Sequence, residues 1–308
     1  MKPILLFLMA AILVACGGVQ HAEVSAEDCR GFAEQLCERT DDELIAPRIR
    51  PTDATLNAVL WTQQSVEFTT LALQTYRTAI GTLDHALADP TWTASPEQVN
   101  TDFSDLPPAV ILDIDETVID NSAYQGWLIL NELTYSRETW NAWCDDEEAV
   151  LIPGALEYIL EAHARGITPF YVTNRYAETR ESTIRNLEAL GLPFEDDYSN
   201  ILLRGEQEDW GSDKGTRREF IGRNYRILHL VGDNFGDFLD EVEVSHQERL
   251  TMAMAYDAWW GERWFMLPNM QYGSWEHALF HDDPTFDAMV RYERKLRIMR
   301  SWSGPDAP

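Results

Sequence analysis

Asp113-Ile114-Asp115-Glu116-Thr117-Val118-Ile119-Asp120-Asn121 follows directly on the apolar run Ala109-Val110-Ile111-Leu112, and its reading decides the fold. Four consecutive apolar residues ahead of a polar turn read as a parallel strand buried on both faces, whose side chains repeat every two residues. Asp113 and Asp115 then share one face. Two carboxylates held together at the C-terminal end of a strand can bind a divalent cation, or divide the work of nucleophile and general acid. A turn that is merely rich in Asp is the competing reading, and the dyad alone leaves both open.

The chain has 308 residues, 45% of them hydrophobic, which suits one large domain with a substantial addition and excludes a disordered class. A formal charge of −28 argues against binding a nucleic-acid polymer or an anionic membrane by electrostatics. The same charge repels phosphorylated substrates, so a phosphate site in this chain needs local cations.

Residues 1–15 read as a signal peptide, with Lys2 as a minimal basic region and an apolar stretch over 4–14. That stretch falls short of the roughly 20 residues a bilayer span needs. Leu13-Val14-Ala15-Cys16 resembles the lipobox of bacterial lipoproteins, which makes Cys16 the expected lipidation site. By the same resemblance, the absence of Asp after Cys16 implies sorting to the outer membrane, on its periplasmic or its surface face. A plain secretory signal is the alternative. Residues 16–56 read as a tether with a poorly periodic segment. A Cys29 to Cys37 bridge stays open, since eight residues of continuous helix would hold the two about 12 Å apart. Cys144 is followed by four acidic residues and reads as a packing residue.

From residue 57 the pattern becomes regular. A helix is expected over 57–88, with Ala72, Tyr76, Ala79, Ile80, Leu83 and Leu87 on one face and Asp89-Pro90 as its stop. After the first strand, helices are expected over 155–165, 177–190 and 216–222, and strands over 167–173, 201–203 and 227–231. Strands alternating with helices imply an α/β fold: a Rossmann-like parallel sheet covered on both faces, here with a mostly helical N-terminal and cap addition.

In such a sheet, ligands gather at the C-terminal strand ends. The first strand delivers Asp113 and Asp115. The second delivers Thr173, Asn174 and Arg175, whose hydroxyl and amide can hold phosphate oxygens. The last delivers Asp233 and Asp237 on a Gly-rich turn, and Lys214 lies between them in sequence. With only three Lys against 21 Arg, a Lys at this place suggests that a compact ammonium is required.

These four motifs resemble, in order and spacing, those of the haloacid dehalogenase (HAD) superfamily, and more narrowly the class C acid phosphatases, the lipoprotein e(P4)-like family of nonspecific phosphatases and 5′-nucleotidases. The likeness extends through Asn121 to Trp127 and through Met266-Leu-Pro-Asn to Tyr272-Gly-Ser-Trp275, covering roughly 57–280. It implies that Asp113 attacks phosphorus and that Asp115 protonates the leaving oxygen and then activates water. It further implies a Mg²⁺ ion held by the Asp113 carboxylate, the Asp115 backbone carbonyl and Asp233, with Asp237 supporting the water shell or Lys214. Thr173, Asn174 and Lys214 would neutralise the phosphoryl oxygens, and Trp140 and Tyr272 would sandwich a flat leaving group such as a nucleobase. An acid optimum follows, since Asp113 must be ionised while Asp115 starts protonated.

None of the seven histidines stands in an Arg-His-Gly context or at metal-ligand spacing, and His229 on an expected central strand reads as a satisfied core residue. The activity expected is that of a phosphomonoesterase on small exported organic phosphates, and a homodimer is compatible with it. A catalytically silent surface lipoprotein and a sugar-phosphate phosphatase or phosphotransferase on the same fold are the alternatives.

Overall fold

The computed structural model describes residues 54–280 and 287–302. The signal peptide, the Cys16 lipidation site, the Cys29 to Cys37 pairing and nearly all of the tether lie outside the described residues.

Five strands form one sheet: β1 (Pro108–Leu112), β4 (Thr168–Tyr176), β5 (Ile201–Arg204), β6 (Arg226–Gly232) and β7 (Trp264–Met266). The order across it is β5-β4-β1-β6-β7, and every neighbouring pair is parallel. Because β1 sits between β4 and β6, the chain reverses its direction of travel across the sheet there, and the crevice at its C-terminal end is the ligand position of open α/β sheets. The two remaining strands, β2 (Ile119–Asp120) and β3 (Val150–Leu151), form a separate antiparallel pair.

The period of two divides the core. Val110, Leu112, Tyr171 and Leu228 face one hydrophobic cluster, filled from helices α2 (Val66–Ala88), α5 (Ala155–Ala164) and α6 (Arg180–Ala189). Ala109, Ile111, Val172 and Leu230 face the other, together with Ile221 from α7 (Gly215–Gly222), Phe238 and Trp264. A third, small cluster joins α3 (Ser122–Leu130) to α4 (Arg137–Asp146) through Tyr124, Leu128, Trp140 and Cys144. These helices, with α1 (Leu56–Gln64), are the helical addition expected around the sheet. Cys144 is buried, and burial pushes its thiol up to about 12, which suits packing and opposes reactivity.

The helix expected over 57–88 is two helices. Ser65 leaves helical geometry and accepts the Phe68 amide as N-cap of α2, so α1 ends where α2 begins. The face expected on α2 is the buried one at Ala72, Tyr76, Ala79 and Leu83, while Ile80 and Leu87 are only partly covered. Among the described residues no helix is long and apolar enough to cross a membrane.

Candidate active site

Strand β1 stops at Leu112, and Asp113 continues it by one amide, donated to the Val231 carbonyl at 2.9 Å. The alternation does not carry on to Asp115. A tight turn places it instead: Glu116 adopts the left-handed region at φ 59°, and the Val118 and Ile119 amides both return to the Ile114 carbonyl. Tyr76 on α2 pins this turn from below, donating its hydroxyl to the Thr117 carbonyl at 2.6 Å.

The two aspartates have separate partners. Asp113, 8% exposed, accepts from Lys214, which also donates to Asp237 Oδ1 at 2.7 Å. Asp115 accepts from Arg175 Nε at 2.9 Å and Asn121 Nδ2 at 3.1 Å on Oδ1, and from Thr173 Oγ1 at 3.1 Å on Oδ2. Lys214 is the N-cap residue of α7, where the Gly215 amide is tied to Asp240. A Cβ on Gly215 would lie 2.1 Å from Asp240 Oδ2, so any larger residue there would have to displace the Asp240 carboxylate that ties down this helix start.

Just after β6, Asp233 accepts from Thr117 Oγ1 at 3.1 Å and from Asn269 Nδ2 at 2.8 Å. Asp237 forms a capping box with Asn234, whose amide it accepts at 2.9 Å. Asp113, Asp233 and Asp237 bring oxygens within 4.8 Å of one another and could hold a metal ion. The donor set suits one: hard carboxylate oxygens in a buried place, facing the single ammonium of Lys214. Burial, reinforced by the neighbouring carboxylates against the pull of Lys214, pushes Asp113 well above the usual carboxylate range. Burial and then Asp237 push Asp233 up to about 7. A cation would relieve both. Lys214 itself is pulled down by burial, but Asp113 and Asp237 outweigh this and leave it raised.

Asp237, expected in support, is thus a full member of the acidic cluster, while the Asp115 carboxylate is turned away from it toward Arg175. Asn174 is exposed, donates to the Ser212 carbonyl at 2.9 Å and accepts from Arg217 at 2.7 Å, leaving one amide hydrogen for a ligand. Trp140 is only 7% exposed and meets Tyr124 edge-on at 5.1 Å, so most of its surface is spent on packing. Tyr272 is half-buried, and its carbonyl accepts the Trp275 indole N–H. Sequence reasoning gave no role to Thr117, Asn121 or Asn269, although each lies inside a quoted motif. It named Arg175 without a partner.

A parallel sheet with an ammonium, an acidic trio and an aspartate dyad at its switch point defines a phosphomonoesterase of the HAD type. Residues 40–275 match the model of the HAD superfamily, subfamily IIIB (acid phosphatase), and the chain belongs to that family. The class C acid phosphatase from Bacillus anthracis is similar at 29% identity and a TM-score of 0.72, over 82% of this chain and 100% of that one. A structure of that enzyme with tungstate bound matches at 30% identity and a TM-score of 0.70, over 82% and 98%.

Proposed function

We propose that this acid phosphatase is a Mg²⁺-dependent enzyme that works at acid pH on exported organic phosphates, 5′-nucleotides and aryl phosphates, through an aspartyl-phosphate. The observation that carries the reading is Lys214 bridging Asp113 and Asp237 beside Asp233, an arrangement short of positive charge until a cation joins it. Asp113 attacks phosphorus as the ester bond breaks, and the leaving oxygen takes a proton from Asp115. Water then attacks the acyl phosphate and gives up a proton to Asp115, releasing phosphate and restoring Asp113 as a carboxylate and Asp115 as an acid. Lys214, Thr173 and Asn174 carry the phosphoryl oxygens. Asp113, Asp233 and Asp237, with the Asp115 carbonyl, would hold the Mg²⁺, which when bound offsets the charge of the phosphoryl group. Trp140 and Tyr272 are proposed to flank the base of a nucleotide.

Phosphate release from adenosine monophosphate and from para-nitrophenyl phosphate, with and without EDTA, tests this. Activity lost in EDTA and restored by Mg²⁺ is expected, and full activity in EDTA would remove the metal. The lipobox motivates a companion proposal, an outer-membrane lipoprotein anchored through Cys16. Cys16→Ser should move the protein out of the membrane fraction, and a wild-type protein with no lipid mass at Cys16 would end that reading.

A further inference from the structure

Asp115 is held by buried groups outside the acidic cluster, and they lead to the cap. Strands β4 and β5 pair Thr173 with Leu203 and then Tyr176 with Arg204, so Asn174 and Arg175 form a bulge. Bulges re-aim side chains next to active sites. This one turns Arg175, 1% exposed, inward so that one guanidinium reaches Asp115 through Nε at 2.9 Å, Asn121 Oδ1 through Nη2 at 3.3 Å and Thr183 Oγ1 through Nη1 at 3.3 Å.

Asn121 is fully buried and its amide orientation is fixed by what surrounds it. Its Oδ1 accepts from Arg175 and from Trp143 Nε1 at 2.8 Å, while its Nδ2 donates to Asp115 Oδ1 at 3.1 Å and Glu116 Oε2 at 3.3 Å. Trp143 comes from cap helix α4, whose Trp140 one turn earlier lies 5.7 Å from the Arg175 guanidinium carbon.

We infer that Trp143, Asn121 and Arg175 are positioning residues, a relay through which the cap helix fixes the Asp115 carboxylate for proton delivery to the leaving oxygen. The relay rests on the role proposed above for Asp115. A buried arginine could instead serve only to neutralise Asp115. Charge alone would survive replacement by lysine, whereas the three-way fork would not.

The test uses two phosphomonoesters that differ in their need for an acid. An alkoxide leaves poorly without a proton and para-nitrophenolate leaves well, so a misplaced Asp115 must harm ethyl phosphate far more than para-nitrophenyl phosphate. General acid catalysis contributes about 10²–10⁴-fold in rate, and loss of the fork should forfeit a tenth or more of that range. For Arg175→Lys, kcat/KM, which ends at loss of the leaving group and so leaves out the later use of Asp115 on water, is expected to fall by about 30-fold or more on ethyl phosphate and by about threefold or less on para-nitrophenyl phosphate. Trp143→Phe keeps the packed ring, loses only the indole N–H, and should show the same split at smaller amplitude even if the arginine variant folds poorly.

Equal losses of kcat/KM on the two esters, or no loss in either variant, would each overturn the relay. Asp115→Asn separates this from the underlying reading. If it abolishes ethyl phosphate turnover while the relay variants do not, the relay alone fails. If it leaves that turnover intact, the acid role fails and the relay with it.

Discussion

Two residues show how burial serves opposite ends in this protein. Asp113, the proposed nucleophile, is buried against Lys214. Asp113→Asn should therefore cut turnover by roughly a thousandfold or more with the circular dichroism spectrum unchanged. Near wild-type turnover would end the covalent mechanism. His229 is buried to remain neutral. It is fully enclosed in β6, with Nε2 3.1 Å from Thr82 Oγ1 and Nδ1 2.9 Å from the Tyr158 hydroxyl, and burial pushes it from 6.5 to about 3. The sign follows from proton counting. Between pH 6.5 and 3 the unfolded chain binds a proton at His229 that the folded chain refuses, so stability is complete above about 6.5 and is lost as the pH falls toward 3. At pH 5 the loss should be about 2 kcal/mol relative to pH 8. Urea unfolding at the two pH values should show this difference shrinking by that amount in His229→Gln, whose amide can still meet both hydroxyls. An unchanged pH dependence would mean that His229 titrates normally in the folded protein.

At the scale of elements, α2 is the longest helix among the described residues and holds the turn that carries Asp115 from below through Tyr76, so the cap that starts it has a measurable effect. Ser65→Ala removes the acceptor of the Phe68 amide and should cost about 1 kcal/mol in chemical denaturation, with kcat unaffected. A loss of activity without a loss of stability would instead show that α1 and α2 steer the site. This junction also shows what the sequence leaves illegible. Residues 62–65 are all polar but include neither glycine nor proline, and one serine between Gln64 and Val66 is a weak stop signal, so one helix is expected where there are two. The sheet was legible because buried parallel strands are continuous apolar runs. Strand β4 extends past its expected end at Thr173 because the bulge carries polar Asn174 and Arg175, which break the apolar pattern that marks a strand. Asp113, Lys214, Asp233 and Asp237 could be grouped from sequence, since each follows a strand or caps a helix. The Asn121 and Trp143 links to Asp115 could not be, because they depend on how α3 and α4 fold back over the turn.

For the whole molecule, a formal charge of −28 has to be reconciled with a dianionic substrate. Summed surface charge creates potentials of several kT, and a potential of only 1 kT at the mouth of the site lowers the local concentration of a dianion about sevenfold. The cations around the proposed phosphate site, Lys214, Arg175 and Arg217, are buried and already held by Asp113, Asp115 and the Asn174 side chain, so little of their field reaches solvent. Long-range repulsion should therefore outweigh local attraction. Salt screens it: the Debye length falls from about 10 Å at 0.1 M to about 3 Å at 1 M. At pH 7, where the substrate is a dianion and the formal charge is −28, raising KCl over that range at saturating Mg²⁺ should increase kcat/KM for a phosphomonoester by up to about sevenfold, through KM, and leave kcat nearly constant. The same screening relieves self-repulsion of the folded chain, so Tm should rise with KCl as well. The two readouts together are decisive. A kcat/KM that falls with salt while Tm rises would mean that Lys214 and its arginine neighbours project a local positive field strong enough to steer the substrate in against the rest of the surface.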